Sequence, residues 1–254
     1  MYSAANSLSG EAAATQMELA SRQYLEAVRT YPFDPVLWDN LRGACAKIAT
    51  SLATNESANA ADRKETALRC ALTSGWMAWI LSDVPPGARD AGEPNMSRKR
   101  LQRLYEDRRS LAMHLRDDEK RVKEAHALAE QGVREAEEVA AQSPEATFLV
   151  ADAYFGLAMM REEDRVDGWE PAFRAAIVHG EQWRAQQPAR AEPRRWLGAV
   201  RAELANRLDA AKRPPTESAA ERAQALRLCQ EALRLTANDG ERRNAQNCIE
   251  ATHP

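Results

Sequence analysis

Strand-forming residues are scarce in this 254-residue chain. Val, Ile and Thr are sparse, aromatics make up 6%, and none of them alternates with polar residues over a useful length, which excludes a fold built on a sheet. Recognisable catalytic motifs are missing as well. Histidine occurs only as the scattered His114, His126, His179 and His253, and there is no H-E-x-x-H, G-x-S-x-G or G-x-x-x-x-G-K-[ST]. The stretch Pro85 to Pro94, PPGARDAGEP, has two glycines but lacks the Lys and Ser or Thr of a phosphate cradle, so it reads as a surface turn. His126 and Glu130 share a helical face, yet two ligands fall short of a zinc site; an exposed i,i+4 pair is the expectation. No catalytic residue, cofactor or metal is expected.

Cysteine is also rare. Cys45, Cys70, Cys229 and Cys248 show neither C-x-x-C spacing nor the density of a secreted disulfide framework, so reduced thiols packed between helices are expected. The longest apolar run, Trp76 to Leu81, is far too short to span a bilayer, and Met1 to Gly10 lacks the regions of a signal peptide. A cytoplasmic chain without membrane insertion is expected. The formal net charge of -3 gives no overall pull toward nucleic acid.

What is abundant is Ala, Leu, Glu, Arg and Gln, all strong helix formers, and the expected class is all-α. Residues 11 to 31 place Ala13, Met17, Ala20, Tyr24, Ala27, Val28 and Tyr31 on one helical stripe. A second helix runs from about Pro35 to Thr54, capped by Asp34 with Pro35 in its first turn. A third begins near Asp62 and ends in the apolar run at Trp76 to Leu81, read as a core position. Beyond the loop, Leu101, Leu104, Tyr105, Leu111, Ala112 and Leu115 form the stripe of a fourth helix. Arg108 falls on that stripe and is expected to lay its stem on apolar neighbours while its guanidinium reaches water. Further helices follow over about 119–142, 148–160, 169–187, from about Trp196 to the Lys212-Arg213-Pro214-Pro215 stop, and 217–235, with a short last one after Asn238-Asp239-Gly240.

Ala20, Tyr24, Ala27 and Pro32, followed by Trp38 and Leu41, resemble the tetratricopeptide repeat (TPR), whose pattern is W-x2-L-G-x2-Y, then A-x3-F, then P. Arg42 stands where that family has Gly, with Gly43 one place late, and Cys45 replaces its Tyr. Ala225, Cys229 and Ala232 repeat the spacing of Ala20, Tyr24 and Ala27 near the other end. The helix-ending positions Pro32, Pro86, Pro144, Pro188 and Ala237 recur at wider intervals than the family's unit of about 34 residues.

The resemblance implies about ten helices in antiparallel pairs, stacked as a right-handed α-solenoid over 11–254 behind a disordered leader at 1–10, with a subdivision at 85–94. Its implied function is a non-catalytic scaffold that binds a protein or peptide on a concave face lined by the first helix of each pair. Asp39, Asn40 and Lys47 on the Pro35 helix, with Arg194, Arg195 and Arg201 on a later one, are the partner-binding candidates. The arginines point to an acidic partner. The alternative is a regulatory or oligomerisation segment of a larger bacterial signalling protein, since such helix pairs look like the repeat regions that follow the catalytic domain in some serine/threonine kinases. Because the opening helix carries the marks of a second helix without its mate, the chain is expected to be cut from a longer protein. Ala13, Met17 and Val28 would then be partly uncovered and favour weak dimerisation.

Overall fold

The computed structural model describes residues 10–54, 58–82, 94–142, 146–236 and 238–252, and among these residues it has ten α-helices. In chain order they are α1 Gly10–Thr30, α2 Pro35–Ser51, α3 Ala58–Ser82, α4 Pro94–Arg116, α5 Val122–Gln142, α6 Thr147–Glu163, α7 Trp169–Gln186, α8 Ala191–Ala210, α9 Pro215–Arg234 and α10 Asp239–Glu250. Among the described residues there is no strand, as the scarcity of strand formers requires, and no helix is long and apolar enough to cross a membrane. The chain clusters into two compact units that divide at Ala129/Glu130, within α5. The subdivision expected at 85–94 and most of the leader at 1–10 lie outside the described residues.

In the first unit α1, α2, α3 and α4 pack in succession. Most of the α1 stripe is covered: Ala13 and Ala14 are completely buried, Met17, Ala20 and Val28 nearly so, and Tyr24 and Ala27 half-buried, while Tyr31 at its end is exposed. The partly uncovered face expected at Ala13, Met17 and Val28 is therefore not there, because α2 covers the helix that seemed to lack a mate. Asp34 caps α2 as its sequence predicts, accepting a hydrogen bond from the Val36 backbone N–H at 2.8 Å, with Pro35 in the first turn. Leu41, Ala44, Cys45, Ile48 and Ala49 form the buried face of α2. Tyr24 and Trp38 are half-buried against the cluster of Val28, Leu41, Cys45 and Ala71. The apolar end of α3 is mixed: Ala78 is fully buried, Trp76 and Trp79 meet edge to face at 5.2 Å, and Ile80 is 53% exposed. On α4 the buried stripe is Leu104, Leu111, Ala112 and Leu115. Arg108 is buried to 4% exposure, so the expected emergence of its guanidinium is not made.

The second unit is organised around α7 and α8. Phe173, Ala176 and Ile177 of α7 meet Leu197, Val200, Leu204 and Leu208 of α8, with Ala158 of α6 and Leu228 of α9 closing the core. An unbroken line of rings runs through this region: Phe148, Trp183, Trp196, Phe155, Phe173 and Trp169 touch in sequence, with centroids 5.7 to 6.1 Å apart. The turn between α6 and α7 needs left-handed backbone at Arg165 and Gly168, and glycine accepts that conformation without steric cost. At Gly198 a Cβ would stand 2.5 Å from the Cys229 sulphur and 3.2 Å from the Ala225 carbonyl. The backbones of α8 and α9 therefore cross closely at Gly198.

The cysteines depart from expectation. All four are paired, Cys45 with Cys70 between α2 and α3, and Cys229 with Cys248 between α9 and α10, at Cα separations of 6.0 and 5.7 Å. Reduced thiols were expected because pairs 25 and 19 positions apart leave no local spacing signal; only the packing of successive helices brings them face to face.

Candidate functional site

The turn joining α1 to α2 has the sequence Tyr31-Pro32-Phe33-Asp34-Pro35, and its backbone is held at several points. Tyr31 N–H donates to the Ala27 carbonyl at 2.8 Å, Asp34 N–H to the Tyr31 carbonyl at 3.2 Å, and the Trp38 indole Nε1–H to the Pro32 carbonyl at 2.8 Å. Two prolines restrict it further. On this fixed turn Tyr31, Phe33 and Val36 are 64%, 82% and 55% exposed. Single exposed apolar residues are ordinary, but three large ones within six positions form a patch of the kind found at contact sites. Val36, Asn40, Gly43 and Lys47 follow one another at four, three and four positions, so they share one face of α2. Asn40 is exposed on it and Lys47 half-buried.

Asp39 lies on another face. Its carboxylate accepts from Arg42 Nε and from Arg103 Nη1, both at 3.1 Å, while Arg42 Nη1 also reaches Asp107 Oδ2 at 3.1 Å. The group holds α2 to α4. Burial pushes the Asp107 carboxyl up to about 6 against the opposing pull of Arg42. A raised folded-state value means that the fold prefers the protonated acid, so the stabilisation is complete below the ordinary carboxylate value and is lost as pH rises through 6. Lowering the pH from 7 to 5 should therefore add roughly 1 kcal/mol from this site. The measurement is the difference in pH dependence of urea stability between wild type and Asp107→Asn, which cancels titration elsewhere, including that of His114, whose value burial lowers. Parallel profiles for the two proteins would show that Asp107 does not titrate in this range.

The arginine candidates on α8 are largely engaged within the chain. Arg201 is 9% exposed and donates to Glu221 at 2.6 Å and Glu181 at 3.3 Å. Arg194 lies 3.5 Å from Glu231, which also meets Arg184 and Arg227. Arg195 is half-buried, and its backbone carbonyl oxygen lies 3.4 Å from the Cys248 sulphur. The structure therefore does not bring Arg194, Arg195 and Arg201 together as a free cationic surface; Glu181, Glu221 and Glu231 neutralise two of the three. Nor is the pair expected at His126 and Glu130 made as an exposed one: His126 is buried, and Glu130 accepts from Arg161 at 2.8 Å.

Sequence reading passed over Tyr31 and Phe33 as contact residues. The signal was present in the motif itself. An aromatic residue between a helix-ending proline and an N-cap aspartate has no helical neighbour to cover it. Comparison with known proteins adds no constraint on this surface: no family model matches the chain, and no curated protein matches it.

Proposed function

We propose that the chain is a non-catalytic scaffold of TPR-like helix pairs that binds a protein or peptide. The observation that carries this reading is the rigid turn presenting Tyr31, Phe33 and Val36 to solvent, continuous with the α2 face of Asn40 and Lys47. Aromatic side chains on a fixed backbone give large contact area with little ordering cost on binding. Packing of helices that follow one another in the chain supports the repeat architecture. Asn40 and Lys47 supply the polar rim that such apolar anchors generally have. An acidic partner segment now draws on Lys47 rather than on the α8 arginines.

Two paired sets of cysteines favour maturation in an oxidising compartment over the cytoplasm, where thiols are kept reduced. The same turn also suits self-association, which keeps the reading of an oligomerisation segment of a larger signalling protein.

The test compares wild type with Tyr31→Ser/Phe33→Ser in affinity capture followed by light scattering. Both side chains are exposed, so the thermal midpoint should shift by no more than a few degrees. A partner held by wild type should weaken at least about tenfold with the double variant, since aromatic anchors commonly carry 2 kcal/mol or so each. Equal capture by both proteins, or none by either, would refute the scaffold reading. Self-association abolished by the double variant would favour the oligomerisation reading.

A further inference from the structure

The two disulfides differ in what can reach them. Cys229 is fully buried and Cys248 is 6% exposed, with Gly198 of α8 packed directly beneath their sulphurs. Cys45 is buried as deeply, at 3%, but its partner Cys70 is half-buried. Both Cys45 and Cys70 line an open cavity of about 340 Å³ formed by α1, α2 and α3. That volume lies at the lower end of the range for small-molecule sites, about 300–1,000 Å³. Ile48 and Ala67 give the cavity apolar wall, while Glu18 is occupied in an ion pair with Arg63 at 2.8 Å. Arg22 and Asp62, both exposed, add one charge of each sign to the lining.

We propose that this cavity is a thiol-exchange site, with Cys70 as the attacked sulphur and a low-molecular-weight thiol derived from an amino acid as the co-reactant. Thiol–disulfide exchange requires the incoming thiolate to approach one sulphur along the bond to the other. Cys70 is the more exposed residue of the two, so attack is assigned to its sulphur, with Cys45 as the leaving group. In the first step the incoming sulphur bonds to Cys70 Sγ, the Cys45–Cys70 bond breaks, and Cys45 departs as a thiolate that takes a proton from water. In the second step another molecule of the thiol attacks the mixed disulfide, leaving Cys70 reduced and two small thiols joined as their disulfide. Two thiols are oxidised as one protein disulfide is reduced. An amino-acid-derived thiol carries carboxylate and ammonium groups, and Arg22 and Asp62 offer the complementary charges. The exchange unlinks α2 from α3 while leaving the second disulfide closed, so this helix pair registers the thiol balance around the protein.

The experiment uses the full chain purified without reductant and exposed to graded glutathione, with 2-mercaptoethanol as a comparison thiol that lacks carboxylate and ammonium groups. Samples are acid-quenched, alkylated and mapped by peptide mass spectrometry, and helical circular dichroism is followed in parallel. The expected result is a glutathione adduct on Cys70 and an alkylated Cys45, with the first disulfide opening at least about tenfold faster than Cys229–Cys248 and helical signal retained. Arg22→Glu, an exposed substitution that leaves packing intact, should slow exchange with glutathione by about threefold or more relative to 2-mercaptoethanol, because both attack as thiolates but only glutathione carries further carboxylates for Arg22 to attract. Adduct on Cys45, equal or faster opening of Cys229–Cys248, opening only as the helices melt, or unpaired Cys45 and Cys70 in the purified protein would overturn the exchange site. An unchanged glutathione-to-mercaptoethanol ratio in Arg22→Glu would overturn the assignment of a charged, amino-acid-derived thiol.

Discussion

Phe173→Ala is expected to destabilise the second unit by about 4 kcal/mol. Phe173 is fully buried, sits in the core formed by α7 and α8, and touches Phe155 edge-on at 5.7 Å and Trp169 at 6.1 Å. Truncation removes most of the apolar area of the side chain and leaves a void that its neighbours fill only in part. Ring contacts would be lost on two sides, which adds to the transfer term. Against a typical domain stability of about 5–15 kcal/mol, the loss is a large fraction of the total. Phe173→Leu keeps apolar volume and should cost less than about 1.5 kcal/mol. Urea denaturation followed by tryptophan fluorescence and circular dichroism measures both, and a cost under about 1 kcal/mol for the alanine variant would mean that Phe173 is not a core residue.

The second large effect concerns Gly198, where two ordinary preferences oppose each other. Glycine inside a helix is less favourable than alanine by about 1 kcal/mol, so propensity alone predicts that Gly198→Ala stabilises α8. The added methyl, however, would lie 2.5 Å from Cys229 Sγ, 3.0 Å from Cys248 Sγ and 3.2 Å from the Ala225 carbonyl oxygen. Two of these atoms are fixed by their mutual bond and the third belongs to the backbone, so none can swing aside as a flexible side chain would. Overpacking of this kind costs about 1–3 kcal/mol or more, and a net loss of about 2 kcal/mol is expected. In a Cys229→Ala/Cys248→Ala background the sulphurs are gone and only the 3.2 Å approach to the Ala225 carbonyl remains, so the same Gly198→Ala change should cost much less. The four proteins form a double-mutant cycle. An equal cost in both backgrounds would show that something other than the disulfide dictates glycine here.

Neither effect could be read from the chain alone. Nothing in the spacing of α7 distinguishes Phe173 as the ring that Phe155 and Trp169 enclose. On α8, Leu197, Val200 and Leu204 are buried in the core, and nothing about the glycine among them signals that a disulfide from α9 and α10 covers it. The repeat resemblance implies Asp39 and Arg201 as partner-binding residues. Their charges are instead satisfied by Arg42 and Arg103, and by Glu221 and Glu181.

The sequence by itself determined the all-helical class, the order of the helices and most of their ends: Asp34 and Pro35 start α2, Asn238 caps α10, and the prolines at 32, 188 and 214 fall in the turns. These are local properties, fixed by hydrogen bonds and backbone restrictions that reach no more than about four residues along the chain. Tertiary structure alone decided which cysteines meet, which arginines are neutralised, and that Phe33 stays outside while Val28, five positions earlier, is buried. Such outcomes depend on how whole helix faces pack, and side chains tens of positions apart become neighbours only once that packing is complete.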